Sequence, residues 1–473
     1  MKKILFRNLI ACVLCLALPC SALALTVAEE NELGKKFFEQ VKASQALIQD
    51  PIICNYVSAV GKRVVSAIGP EPLTFRFYVL DQGVLNAFAG PGGYIFVNRG
   101  VITSLNSEDE LAGILAHESA HVSCRHISKK ISSQKKIQLA TLAGVVAGLF
   151  LGAGAAGVVL PTAAGASAQL AYSREDEGQA DDRGVDYMVR AGYGAQGMMK
   201  SFSVMRQASL FGPNDIPTYL STHPGVDERL AAMDTWIATH PEEARATMPP
   251  DPTVFAKVRA RTIALYGDPD TAKQRLAQEA RKNPSSAAAL YGLGLAQCRM
   301  NERVEAVATL KKAVALAPFD PDILAGLGRA YYEAGQPAQA ESVLASAAAT
   351  QPDNAVALYW LGRTELSQGK AQQSMEHLQQ SLAAFPDFSD ARFQLAQACA
   401  AAEHMAAAHY HLGLHYLNLG DMMTARKNLE KAKDLAEKDP ELLAKIEKAL
   451  EDLEELPGGK GKGKPPGSGK ASR

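Results

Sequence analysis

Residues 117–121 read His-Glu-Ser-Ala-His, and two imidazoles with a carboxylate at this spacing can build a hydrolytic metal centre. On a helix, His117 and His121 lie one turn apart on the same face, so both can grip one Zn²⁺. Glu118 projects beside them, placed to take a proton from a water that the metal acidifies. Such a centre needs a third protein ligand and one open position. A Gly three residues after His121 with a His six residues after it would supply one, but Cys124 and Ile127 stand there. His126 comes one residue early and is expected to point away from the zinc face, in a packing or surface role. The better source is the stretch Ser173-Arg174-Glu175-Asp176-Glu177-Gly178-Gln179-Ala180-Asp181. Glu177 and Asp181 are four residues apart and face the same way on a helix. One carboxylate can bind the metal while the other holds a ligating imidazole by its free N–H.

The helix that must carry the motif is announced by Ser107 as N-cap, with Glu110 expected to reach back to it. Leu111, Ile114, Leu115 and Val122 then give an apolar stripe that anchors the helix in a core. Cys124, seven residues after His117, shares its face. A buried spectator thiol is the expected role there, with a fourth ligand or a redox function as the alternatives. Between the two halves of the site, Ile137 to Leu160 carries no charge across 24 residues, long enough to span a bilayer. A single span would leave His117 and Glu177 on opposite sides, so a hairpin or amphipathic flap over the site is expected instead.

These motifs resemble the M48 family of zinc metallopeptidases. The resemblance rests on His117 to His121 followed by Ser173 to Asp181, on Leu85-Asn86-Ala87-Phe88-Ala89 with Gly92-Gly93-Tyr94-Ile95-Phe96-Val97 upstream as a strand pair, and on Thr222-His223-Pro224 with Glu228-Arg229-Leu230 downstream. It covers about residues 30 to 240. It implies His117, His121 and Glu177 as ligands of one Zn²⁺ per chain, Glu118 as general base and Asp181 as the residue behind a ligand. His223 is implied either as a fourth ligand that holds the enzyme inactive or as a hydrogen-bond donor to the developing oxyanion. Secreted members with appended repeats are the most similar branch. They imply outer-membrane β-barrel proteins and their assembly machinery as clients, with a chaperone-like activity alongside proteolysis.

The ends of the chain bear on location. Lys2, Lys3 and Arg7, then an apolar Leu9 to Leu18, then Ala22-Leu23-Ala24 read as a signal peptide cleaved after Ala24, which points to a periplasm. Four of the seven cysteines follow that cut: Cys54, Cys124, Cys298 and Cys399. That is no disulfide scaffold. With 49 basic and 50 acidic residues the net charge is −1, which gives no reason to expect nucleic acid. Residues 457–473 carry five cations and nothing that could anchor a core, as in a disordered basic tail. A solubilising role is expected there, with contact to anionic lipid as the alternative.

After residue 250 the chain repeats. Pro250, Pro284, Pro318, Pro352 and Pro386 are each 34 residues apart, the tetratricopeptide period. Gly294, Gly328, Gly362 and Ala396 keep the same phase. Gly267, Gly335 and Gly369 mark the turn between helices, with Asn301 in the equivalent slot as the next best residue for a left-handed turn. Ala272, Ala306 and Ala340 hold the position where two helices cross. Near residue 400 the phase slips: Gly413 restarts the pattern half a period after Ala396, which predicts a missing or fused helix. Lys427 to Leu456 reads as a charged capping pair.

The expected architecture is an α+β zincin-like metalloprotease domain followed by an all-α tetratricopeptide-repeat solenoid. Its expected limits are a signal peptide at 1–24, the protease at 25–245, the repeats at 250–456 and a tail at 457–473. The expected function is a periplasmic zinc endopeptidase whose repeats capture unfolded or misassembled envelope proteins, with peripheral membrane contact. The Tyr94 to Val97 strand, as an exposed edge, would pair with the substrate. The alternative is a repeat scaffold or chaperone with a mostly latched metal site.

Overall fold

A computed structural model describes residues 25–43, 47–133, 172–210 and 218–455. The expected signal segment, the uncharged stretch 137–160 and the expected basic tail lie outside the described residues. The first half builds its elements around a small sheet. Helices α1 (Val27–Ala43) and α2 (Pro51–Val65) precede β1 (Arg76–Leu80), β2 (Ala87–Ala89) and β3 (Tyr94–Asn98). The strand order is β1-β3-β2, with β1 parallel and β2 antiparallel to β3. The strand from Tyr94 is therefore central, not an edge, and all five of its residues are buried. Substrate cannot pair with it as expected, because both its ladders are already filled by β1 and β2.

Next come α3 (Arg99–Ser104), α4 (Glu108–Ser123) and α5 (His126–Ser133), then α6 (Arg174–Arg190), α7 (Gln196–Leu210), α8 (Thr218–Thr222) and α9 (Val226–Thr239). α4 carries the His-Glu-Ser-Ala-His motif and is buried from Glu110 to Val122. Ser107 caps it, accepting from Glu110 N at 3.3 Å. Glu110 does not return the bond to Ser107; its carboxylate accepts from Asn106 N instead, at 2.7 Å. The reciprocal capping box sits on α6, between Ser173 and Asp176. α6 packs on α4 at Gly184, where an added Cβ would lie 3.3 Å from the backbone nitrogen of His117 and 2.6 Å from Met198 Cε. Only a residue without a side chain lets the two helices approach this closely.

The second half is helical throughout. α10 (Pro252–Tyr266), α11 (Pro269–Lys282), α12 (Ala287–Arg299), α13 (Arg303–Leu316), α14 (Pro321–Glu333), α15 (Pro337–Thr350), α16 (Ala355–Ser367) and α17 (Ala371–Ala384) form four hairpins of the expected period. Within hairpins, glycines on the first helix receive leucines of the second: Gly294 meets Leu310, Gly328 meets Leu344 and Gly362 meets Leu378. Asn301, Gly335 and Gly369 adopt left-handed backbone at the turns, but Gly267 does not, with φ near −71°. The slot continues at Glu403, which is left-handed with φ 63° despite its side chain. Then the half-period slip appears in α18 (Ser389–Ala401), α19 (Met405–Asn418), α20 (Met422–Leu435) and α21 (Pro440–Glu455). α19 packs on both α18 and α20, and Gly413 meets Leu429 as a first helix would. One helix thus closes one repeat and opens the next. The expected capping pair from Lys427 is instead the second helix of that last repeat plus a single cap, α21.

The two halves are pinned together by a buried ion pair. Arg261 of α10 donates twice to Asp50, the N-cap of α2, at 2.9 and 2.7 Å, and once to the Tyr291 hydroxyl at 2.7 Å. Arg275 adds a 2.8 Å bond to the carbonyl of Thr103. The four cysteines Cys54, Cys124, Cys298 and Cys399 are free thiols. Among the described residues no helix is long and apolar enough to cross a membrane.

Candidate metal centre

α4 presents His117 and His121 inward, and α6 brings Glu177 and Asp181 against them. His223 follows α8, at the turn that Pro224 and Gly225 make before α9. Ligand atoms of His117, His121, Glu177 and His223 all lie within 4.8 Å of one another, and all four side chains are buried. The Nε2 atoms of His117 and His121 are 3.0 Å apart, and His223 Nδ1 is 3.2 Å from His117 Nε2 and 3.0 Å from Glu177 Oε1. Glu118 stands beside this group, with His223 Nε2 3.7 Å from its carboxylate. Neither Glu118 oxygen has a hydrogen-bond partner among the described residues.

Behind the quartet the geometry is closed by hydrogen bonds. Asp181 Oδ1 lies 2.9 Å from His117 Nδ1, which turns the other ring nitrogen toward the quartet. Arg229, from α9, donates to both Asp181 oxygens at 2.7 Å, and its third nitrogen lies 2.5 Å from Glu177 Oε2. Its guanidinium rests over the Phe202 ring. His126 departs from expectation. Arg125 takes left-handed backbone, φ 56°, and swings His126 back so that its Nδ1 sits 2.9 Å from His121 Nδ1 and its Nε2 2.8 Å from Gln179 Oε1. It supports His121 from outside rather than pointing away. Cys124 caps α4, half-buried and outside the quartet.

Two tyrosines cover the imidazoles. Tyr172 stacks on His121 at 3.8 Å and Tyr219 on His223 at 4.2 Å between ring centroids. Tyr172 N donates to the carbonyl of Thr222, so the segments before α6 and after α8 are joined. The helix stripe and the resemblance gave no signal for Tyr172, Tyr219 or Phe202. Arg229 was present only inside the matched Glu228-Arg229-Leu230 string, and the need of a buried Asp181 for a cation would have singled it out.

The electrostatics favour a divalent cation. Glu118, Glu177 and Asp181 are three buried carboxylates against one buried guanidinium, and although burial opposes it, Glu177 and Glu118 raise the pKa of His223, the same demand for positive charge. Burial raises the pKa of Glu118, only partly offset by His223 and His117. Burial would raise Glu177 too, but His223, His121 and His117 hold it well below the usual carboxylate range. Burial keeps His121 neutral, the form that ligates. Two histidines, a third imidazole and a carboxylate are the donor set that suits Zn²⁺.

Comparison with known proteins follows the same division of the chain. The family model described as Peptidase family M48 matches residues 53–237, and tetratricopeptide-repeat models match 267–321, 299–363, 331–398 and 406–439. The β-barrel assembly-enhancing protease of Escherichia coli is 26% identical over 302 residues, 62% of this chain and 61% of its own. That of Yersinia pestis is 28% identical over 248 residues, 51% of this chain and 50% of its own. The mitochondrial metalloendopeptidase OMA1 of Schizosaccharomyces pombe is 29% identical over 190 residues, 38% of this chain and 52% of its own. The matches thus span about half to three-fifths of the length of these relatives.

Proposed function

Because this chain carries a peptidase family M48 domain at residues 53–237, followed by tetratricopeptide repeats, we propose that it is a periplasmic zinc endopeptidase acting on outer-membrane β-barrel proteins and their assembly machinery. The observation that carries the reading is the buried quartet of His117, His121, Glu177 and His223 with the unpartnered Glu118 carboxylate beside it. His117, His121 and Glu177 would hold Zn²⁺, which supplies Lewis acidity to the scissile carbonyl and to the attacking water. Glu118 would take the proton from the attacking water and deliver it to the leaving amine. Asp181 fixes the His117 ring, and Arg229 fixes Asp181. The repeats, by the same reading, capture unfolded or misassembled envelope proteins and present an extended segment to the centre. The names of the bacterial relatives support β-barrel assembly as the setting.

A second reading rests on His223. Its Nδ1 lies within 3.2 Å of both His117 and Glu177, so it can complete the quartet and latch the centre, leaving binding as the main work. Degradation of casein by the purified chain with one zinc verified separates the two. The protease reading expects weak cleavage by wild type, none by Glu118→Gln and faster cleavage by His223→Ala. Equal inertness of all three despite bound zinc sinks it for general substrates.

A further inference from the structure

The repeats and the protease domain enclose a cavity of about 330 Å³ away from the metal centre. Arg329, Tyr359, Trp360, Arg363, Phe388 and Asp390 line it from the repeats, and Gln49 and Asp50 line it from the protease domain. Two of its arginines are equivalent positions one period apart, and they differ in a way that matters. Arg329 donates to Glu333, four residues on in the same helix, at 2.8 Å. Arg363 has Ser367 at that place. Among the described residues its hydrogen bond goes to the Tyr359 hydroxyl at 3.2 Å, and its buried Nε has no partner. Tyr332, Tyr359 and Trp360 surround the guanidinium at 4.7 to 5.6 Å from their ring centroids. An aromatic box orients a guanidinium but supplies no anion.

We propose that this cavity binds the C-terminal carboxylate of a protein chain, which gives Arg363 the anion partner that Glu333 gives Arg329. A planar guanidinium matches a carboxylate with two parallel hydrogen bonds, and the walls of Trp360 and Phe388 suit an apolar terminal side chain. A chain end fits better than an acidic run. In the lining Arg261 pairs with Asp50 and Arg329 with Glu333, which leaves Arg363 as the arginine without a carboxylate among the described residues, while Asp390 repels further acids. The protease domain also closes one side through Gln49 and Asp50, which suits a terminus more than a segment running through.

The test uses the full chain carrying Glu118→Gln, so that the result holds whether or not the metal centre cleaves peptides. The probe is a dye-labelled peptide, Gly-Ser-Thr-Ala-Ser-Val-Leu with a free C-terminus, read by fluorescence anisotropy. Two comparisons accompany it: the same peptide as its C-terminal amide, and that amide with Glu in place of Val. The free acid should bind about tenfold or more tighter than the amide. Arg363→Gln should erase that difference. Ser367→Glu, at an exposed helix position, should erase it too by giving Arg363 the internal partner that Arg329 has. Equal binding of acid and amide overturns the proposal, as does no binding of any peptide, or a difference that survives both variants. Binding of the Glu-containing amide as tightly as the free acid overturns the assignment to a chain end.

Discussion

Asp181 is the residue on which the metal centre turns, because its Oδ1 faces His117 while Arg229 spans both its oxygens. Replacing Arg229 by Met leaves Asp181 buried without its cation and frees the His117 ring. Zinc affinity should fall by about 10–100-fold, read by competition with a chromophoric chelator. Arg229→Lys should recover only part, because an ammonium cannot make the paired contacts of the guanidinium. The pair His117 and His121 and the pair Glu177 and Asp181 could be read from one-turn spacing, since helical geometry converts spacing into shared faces, while which carboxylate faces the metal came only with the resemblance. His126 could not. Its position depends on the left-handed turn at Arg125, a residue type that gives no warning of that conformation.

Among the elements, the repeat hairpins depend on glycine meeting leucine. A Cβ on Gly328 would lie 2.3 Å from Leu344 Cγ, so Gly328→Ala should cost about 1–3 kcal/mol by overpacking. Combining it with Leu344→Ala should cost less than the sum of the two single changes, because they share one contact. Urea unfolding measures both. The shared helix α19 carries a pH dependence of its own. Burial, with Arg392 and Lys445 adding, pushes His411 down to about 3. The unfolded chain, with an ordinary histidine, takes up a proton near pH 6.5 that the folded chain refuses until near its lowered value. Stability from this group is therefore full above about pH 6.5 and is lost as the pH falls toward 3. The expected loss between pH 7.5 and 5 is about 1–2 kcal/mol, and His411→Gln should flatten that part of the profile. The 34-residue period was plain because Pro, Gly and Ala recur in phase. The half-period at α19 was visible only as a slip, since the same turn slot at residue 403 is filled by Glu, which carries no turn signal.

At the scale of the whole molecule, Asp50 and Arg261 join the halves across 211 positions of sequence. Breaking one partner of a buried pair is worth about 3–5 kcal/mol, so Arg261→Met should split thermal unfolding of the chain into two transitions. Asp50→Asn together with Arg261→Met should lose less than Arg261→Met alone. Nothing in the repeat pattern marked Arg261, because a cation inside an amphipathic helix reads as an exposed one. The central place of β3 was equally hidden, since an apolar run fits a central strand and an edge strand alike. The metal centre draws a last consequence from its setting. His117, His121, Glu177 and His223 are at most 1% exposed, and the backbone bond from Tyr172 to Thr222 joins the two segments that cover them. A chelator in solution therefore waits for the protein. Loss of zinc should follow a single exponential whose rate stays the same as chelator is increased, because the clock is the parting of those two segments, and a newly made chain that folds before it meets zinc should load at that same slow pace.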